Sequence, residues 1–391
     1  MFDSRSWLTQ SAHHLIMLSQ KIRSTISVLV LSLTSIIVIG IAGSQELLAQ
    51  ERVKIGIIAP FTGPLAEFGV ALRNGITLAQ KTSPSTIGSL DFVYEDSQYN
   101  PQTAISIFRR LTTDSRVRLV INFGCPTSQA IAPIADQTRT PTALFCSSLL
   151  LTKGKKFSFG LCSPANEWAS ILWKHLESRK HNNLCLVLTQ NDYLMNEYKA
   201  LQLEMQKQSV PHSLTVIEEY TPTDTDFRSS VLKMGSKSCD ALGVYLLPNQ
   251  VRTFFQQSRH VKLKAEVFGT DVFESRDEIA ASNGGMERSV FVNLDVPKEF
   301  KERYLAEFKN DNQVTMACVA HDFIVRLANI LQSNAVGTDS ENFMRAIQES
   351  GTLDAACGTS SFIRSDTGEQ FIRYPLTLKR IEGGEIKNLA N

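Results

Sequence analysis

Apolar runs alternate with amphipathic stretches along most of this chain. Residues 53–59 form a near-continuous apolar run closed by Pro60. Such a run predicts a parallel strand buried on both faces. After the turn Phe61-Thr62-Gly63-Pro64, the apolar positions Leu72, Ile76 and Ala79 recur at helical spacing. Pro64 suits the first turn of that helix, where a missing N–H costs nothing. The unit then repeats. Strands are predicted at 90–95, 117–123 and 142–145, with helices opening at Pro101 and spanning 128–137. In the Pro101 helix, Ala104, Ile107, Phe108 and Leu111 share one face. A second series predicts strands at 183–188, 214–219, 241–247 and 266–269, with helices at 168–178, 193–208, 226–236 and 250–260. Strands alternating with helices imply parallel sheets covered on both faces. Near Ser289 the rhythm changes: one strand at 289–292, then helices near 297–309, 315–331 and 339–349. The tail, 360–363 and 371–378, alternates like antiparallel strands around an Asp366-Thr367-Gly368 turn.

Length turns this pattern into an architecture. The shared rhythm fits one large sheet or two similar lobes; the 391 residues exceed one ordinary core, which favours two lobes after a leader. Residues 1–49 are that leader. Lys21 and Arg23 precede an uncharged stretch, 24–45, whose centre is strongly apolar and which ends in small residues. The pattern is that of an export signal, with Met17 as an alternative start, and the run is also long enough to serve as a retained membrane anchor. Export places the body outside the cytoplasm, in the periplasm. Without the leader the basic and acidic residues balance, which argues against nucleic acid as a partner.

Chemistry-bearing motifs are sparse. No Gly-x-Ser-x-Gly, His-Glu-x-x-His or Walker loop occurs, and Gly63, Gly69 and Gly75 lack dinucleotide-fingerprint spacing. His181, His212, His260 and His321 lie in unrelated contexts. No enzyme, cofactor or metal site is expected. Seven cysteines, none in a Cys-x-x-Cys pair, read mostly as small buried apolar residues rather than a disulfide framework. Cys125 with Cys146, each closing a neighbouring core strand, is the first pair to consider for a single bridge.

Five segments together carry a resemblance. They are the opening 57–69 with Asn74-Gly75; Glu95-Asp96-Ser97-Gln98-Tyr99-Asn100-Pro101; Asn122-Phe123-Gly124-Cys125-Pro126-Thr127-Ser128-Gln129-Ala130; Tyr245 to Pro248 with Phe254-Phe255-Gln256-Gln257; and Phe268-Gly269-Thr270-Asp271. In this order they resemble the bacterial periplasmic leucine/isoleucine/valine-binding proteins, a family with relatives that bind urea, short amides and aromatic acids. The resemblance implies an α/β fold of two Rossmann-like lobes joined by three crossovers, the type I periplasmic binding protein fold. Lobe one would be 53–162 with 292–356, and lobe two 163–291 with 357–391. It also implies a monomeric solute-binding protein of an ABC importer. Such a protein takes a small amino acid or amide into the cleft and delivers it to a membrane permease. A ligand sensor reporting to a regulator is the alternative.

The same resemblance implies the site. Thr127 and Ser128, at a helix start after Gly124, with Ser147 and Ser148 at the neighbouring strand end, would form a nest for the ligand's carboxylate. Their plainer reading is a helix cap and a turn. Asp271 would hold the ammonium, and Tyr193 and Phe68 would lean on the ligand from the two lobes. Trp168 reads as a core residue that could also line the cleft. The chain departs from the family at Cys125 and Cys146, which fill cleft loops usually made of small polar residues or Pro. A drier cleft, and a ligand other than leucine, are expected.

Overall fold

The computed structural model describes residues 52–207, 212–236, 238–261, 264–333 and 339–389. The leader lies outside the described residues, so its expected role as signal or anchor is untouched.

The first series forms β1 (Val53–Ala59), α1 (Ala66–Thr82), α2 (Pro84–Ile87), β2 (Leu90–Asp96), α3 (Pro101–Thr113), β3 (Leu119–Phe123), α4 (Cys125–Thr138), β4 (Thr142–Phe145) and β5 (Ser158–Gly160). All five strands run parallel, in the order β5-β4-β3-β1-β2. Local chemistry sets the element ends. Asn100 caps α3 by accepting from the Gln102 and Thr103 N–H groups, with Pro101 behind it.

The second series forms α5 (Ala165–Ser178), β6 (Asn183–Thr189), α6 (Asp192–Gln206), β7 (Ser213–Tyr220), α7 (Arg228–Ser236), β8 (Ala241–Tyr245), α8 (Gln250–Ser258), β9 (Glu266–Gly269), α9 (Arg276–Ala281) and β10 (Val290–Leu294). Its strands make a second parallel core, β10-β9-β8-β6-β7. The chain then returns through α10 (Lys298–Phe308), α11 (Val314–Gln332) and α12 (Ser340–Gln348) to β11 (Thr352–Ala355), β12 (Gly358–Arg364) and β13 (Gln370–Arg373). These three strands extend the first sheet beyond β5. The last two, β14 (Leu376–Glu382) and β15 (Glu385–Asn388), extend the second sheet beyond β10.

Helix α11 is apolar enough to cross a membrane by composition, but most of it is buried as lobe one's core helix. It lies so close to α1 that a Cβ on Gly75 would sit 2.0 Å from the Ala317 carbonyl oxygen. Only glycine permits that approach.

Two of the three expected crossings move. The chain leaves the second sheet after β10, at 295–297, and re-enters it after Tyr374, not at 291/292 and 356/357. The change of rhythm marks where helices begin, not where the last strand is laid down: Val290 still pairs in parallel with Phe268. The tail hairpin belongs to lobe one, with Phe371 pairing to Gly160. The chain first passes between the sheets after β5, through Ser163. The Ser163 hydroxyl donates to the Tyr374 carbonyl at 2.9 Å and accepts from the Tyr374 N–H at 3.0 Å, stapling the first and third crossings together.

The cysteine expectation is corrected in number, while its first-named pair, Cys125–Cys146, does form. Three bridges form, Cys125–Cys146, Cys185–Cys239 and Cys318–Cys357, with Cα atoms 4.9, 5.7 and 5.6 Å apart. Their partners stand 21 to 54 residues apart in sequence, so pairing followed from the sheets and not from local spacing. In the chain-entropy account each contributes about 3–4 kcal/mol. Cys162 alone keeps its thiol among the described residues.

Candidate functional site

In open α/β sheets, ligands sit beyond the carboxyl ends of the strands. Here the carboxyl ends of β3 and β4 face those of β8 and β9 across a cavity of about 100 Å³.

Lobe one supplies a wall of rings. Phe68, from the first turn of α1, stacks on Phe123 with centroids 5.1 Å apart, and Tyr99 and Phe145 flank Phe123 at 6.3 and 6.4 Å. Gly124 makes this wall possible. Its φ of +104° suits glycine, and a Cβ there would lie 2.3 Å from the Tyr99 ring. The Tyr99 hydroxyl accepts from the Cys125 N–H and meets the Asn191 side chain of lobe two.

Lobe two supplies carboxylates. Asn191 caps α6 by accepting from the Tyr193 N–H, which fixes that residue at the helix start. The Tyr193 hydroxyl donates to Asp271 Oδ1 at 2.5 Å. Glu197 lies one turn further along the same face. Burial pushes the Asp271 carboxyl up to about 6; the Tyr193 hydrogen bond opposes this and the Glu274 charge adds to it. Burial likewise pushes Glu197 up to about 8, opposed by Ser147 and reinforced by the charge of Asp271. Glu274 is satisfied differently. It accepts from Thr315 at 2.7 Å, Asn293 at 3.0 Å and the buried Lys379 ammonium at 3.0 Å.

Several bonds hold the lobes shut over the cavity. The Ser147 hydroxyl of lobe one donates to Glu197 Oε1 at 2.5 Å and accepts from Asn196 at 3.1 Å. Ser275 donates to Glu67 at 2.9 Å, and the Arg276 guanidinium pairs with Asp311 at 2.8 Å. Burial raises the Glu67 carboxyl to about 7.

The anticipated site residues therefore divide. Phe68, Tyr193, Asp271 and Ser147 line one cavity. Thr127 and Ser128 do not. Both are buried behind the wall, where Asn122 donates to their hydroxyls at 3.0 and 2.9 Å and Thr127 in turn donates to the Phe123 carbonyl. Ser148 also stands outside the cavity, and Ser147 faces a carboxylate instead of presenting its hydroxyl to an anion. The expected four-residue anion nest is not assembled. Thr127 and Ser128 turn toward Asn122 of β3, away from the cavity. Trp168 lines the cavity, its indole N–H donating to the Ser163 carbonyl at 2.9 Å. Sequence reasoning missed Tyr99, Glu197 and Glu274. Glu197 carried a signal, an acid four residues after Tyr193 on one helix. Among the described residues no group of three or more His, Cys, Asp or Glu side chains is placed to hold a metal ion.

A family model described as "Periplasmic binding protein" matches residues 52–381. The chain belongs to that family. Similar relatives of this periplasmic binding protein include the Leu/Ile/Val-binding protein homolog 3 of Brucella melitensis. It is 21% identical over 339 residues, covering 82% of this chain and 89% of the relative. The Leu/Ile/Val-binding protein BraC3 of Rhizobium johnstonii is 22% identical over 355 residues, with 87% and 94% covered. Among solved structures, the leucine-binding protein LivK of Thermotoga maritima superposes with a TM-score of 0.76 at 18% identity, over 86% of this chain and 98% of that one. A solute-binding protein of R. palustris in complex with 4-hydroxybenzoate gives 0.75 at 15% identity, over 87% and 96%. At these identities the likeness speaks to the fold: this binding protein has the two-lobed type I architecture. The family is one of extracytoplasmic solute binders rather than a class of enzymes.

Proposed function

We propose that this chain is the solute-binding protein of an ABC importer, taking a small amino acid or amide-like solute into the cleft and handing it on to a membrane permease without chemical change. The observation that carries this reading is the division of the cavity. Rings on lobe one face Tyr193, Asp271 and Glu197 on lobe two, so a small solute with an apolar body and an ammonium would touch both lobes only when they are shut. Such a ligand contributes its binding energy to closure. The relatives named for leucine, isoleucine and valine, and the solved neighbour bound to an aromatic acid, fit the same scale of solute. Residues 1–49 would direct export, and the exported body would act as a monomer.

A thermal-shift screen of the ligand-free protein over amino acids, amides, amines, urea and aromatic acids tests the reading. A ligand that binds only the folded form raises the melting point by mass action, by about 2.7 kcal/mol of added stability at one hundred times its Kd. A saturable shift from at least one class is expected. A flat response across every class would remove the transport reading.

A further inference from the structure

The cavity's hydrogen-bonding capacity is strongly one-sided. Among the described residues that line the cavity, none is Lys, Arg or His. The donors that do line it are mostly committed to protein acceptors: Ser147 to Glu197, Tyr193 to Asp271, Thr315 to Glu274 and Trp168 to the Ser163 carbonyl. The start of α4, where a carboxylate would ordinarily dock, is largely used up as well. The Gly124 N–H goes to the Phe145 carbonyl, the Cys125 N–H goes to Tyr99, and Pro126 has none. The Tyr99 hydroxyl keeps one proton to give. One neutral O–H does not offset the loss of a carboxylate's water.

Acceptors are in surplus. Among the described residues, Asp271 and Glu197 each receive one side-chain hydrogen bond, from Tyr193 and Ser147, and Asp271 also takes the Val272 and Asp271 backbone N–H groups; neither has a second side-chain donor. Lys379 balances Glu274, but among the described residues no Lys, Arg or His lines the cavity to balance Asp271. An ammonium supplies three donors and one positive charge, and the surrounding rings accept a cation on their faces.

We propose that the cleft selects a primary amine with an apolar body and no free carboxylate, an alkylamine, arylalkylamine or amino-acid amide, over the parent amino acid. The proposal rests on the solute-binding reading above and narrows it. At neutral pH a carboxylate brought in beside Asp271 meets like charge and few donors. The amide or plain amine of the same skeleton keeps every favourable contact and removes that repulsion.

Titration calorimetry on the wild-type, ligand-free protein tests this with two matched sets: leucine, leucinamide, isoamylamine and 4-methylpentanoate; and phenylalanine, phenethylamine and 3-phenylpropanoate. In at least one set the amine or amide is expected to bind about tenfold or more tighter than the amino acid, with the carboxylic acid weakest. An amino acid that binds as tightly as its amine in both sets overturns the inference, because the site then recognises the carboxylate. Tight binding of either acid overturns it too, and leaves the transport reading standing. If no amine or amide binds, the inference fails, and the thermal-shift screen decides whether the transport reading fails with it.

Discussion

Strand β9 carries a carboxylate at each end, and the two have opposite surroundings. Glu266 begins the strand, away from the cleft. The ring nitrogens Nε2 of His175 and His181 stand 3.1 and 2.7 Å from it, with Arg179 at 2.9 Å and Arg380 at 3.7 Å. Burial by itself would raise this carboxyl, but the His175 and His181 hydrogen bonds and the neighbouring positive charges outweigh it and hold the group near 2. Asp271 lies just past the other end. There burial wins against the Tyr193 hydrogen bond and the backbone N–H groups of Val272 and Asp271, and lifts the group to about 6. The protein satisfies the carboxylate that fastens α5 to the sheet. It leaves incomplete the one that faces the cavity. In the proposed function, a charge kept short of side-chain partners at the carboxyl end of a parallel strand is where the ligand's ammonium would sit.

The strongest way to break this comparison is to remove the incomplete end. Asp271→Ala should weaken binding of an amine or amino-acid ligand by about a hundredfold or more, the usual cost of deleting one member of a desolvated charge pair. The melting point should hold or rise, since a like charge beside Glu197 and Glu274 is gone. Titration calorimetry beside a thermal melt reads both. Unchanged affinity would move the ammonium contact to Glu197.

The other end should answer in reverse. Glu266→Gln keeps the shape but gives up the charge that two histidines and two arginines surround. A loss of about 1–3 kcal/mol in denaturant unfolding is expected, with ligand affinity unaltered. A variant that folds as stably as wild type but binds poorly would show that the amino end of the sheet serves the cleft after all.

The sequence made parts of this comparison visible. The run closed by Pro60, the Asn100-Pro101 helix start and the βα rhythm all express local chemistry, so two parallel cores could be read from periodicity. Asp271 could be placed beyond a strand end for the same reason, and Glu197 stood four residues after Tyr193 on one helix face. The rest depends on residues far apart. Glu274 is neutralised by Lys379, 105 residues later, and is reached by Thr315 from the other lobe. Thr127 and Ser128 have the right types and spacing for a ligand loop. Only the fold shows that both are buried behind the wall, where Asn122 donates to their hydroxyls and Thr127 donates to the Phe123 carbonyl. The crossing after β13 depends on a hairpin choosing the first sheet over the second, a competition between partners that no local pattern records.

Titration gives the gentlest test, because the two ends carry opposite signs. The Glu266 carboxyl is depressed on folding. Its contribution to stability is therefore present above about 4.5 and lost as pH falls toward about 2. Asp271 and Glu197 are raised, to about 6 and about 8. In the ligand-free protein they bind more protons than the unfolded chain does between about 4 and 8, so their contribution declines as pH rises through that window. Ligand affinity should run the other way. A cation favours the ionised carboxylates, so amine binding should tighten as pH rises toward about 6 and on toward about 8, then level off. Glu197→Gln should flatten the upper part of that rise and leave the lower part, which belongs to Asp271. Calorimetry at pH 5.5, 7 and 8.5 separates the two. An affinity that falls with rising pH would mean the cleft prefers its carboxyls protonated, and Asp271 would then act as a hydrogen-bond donor to a neutral or anionic solute.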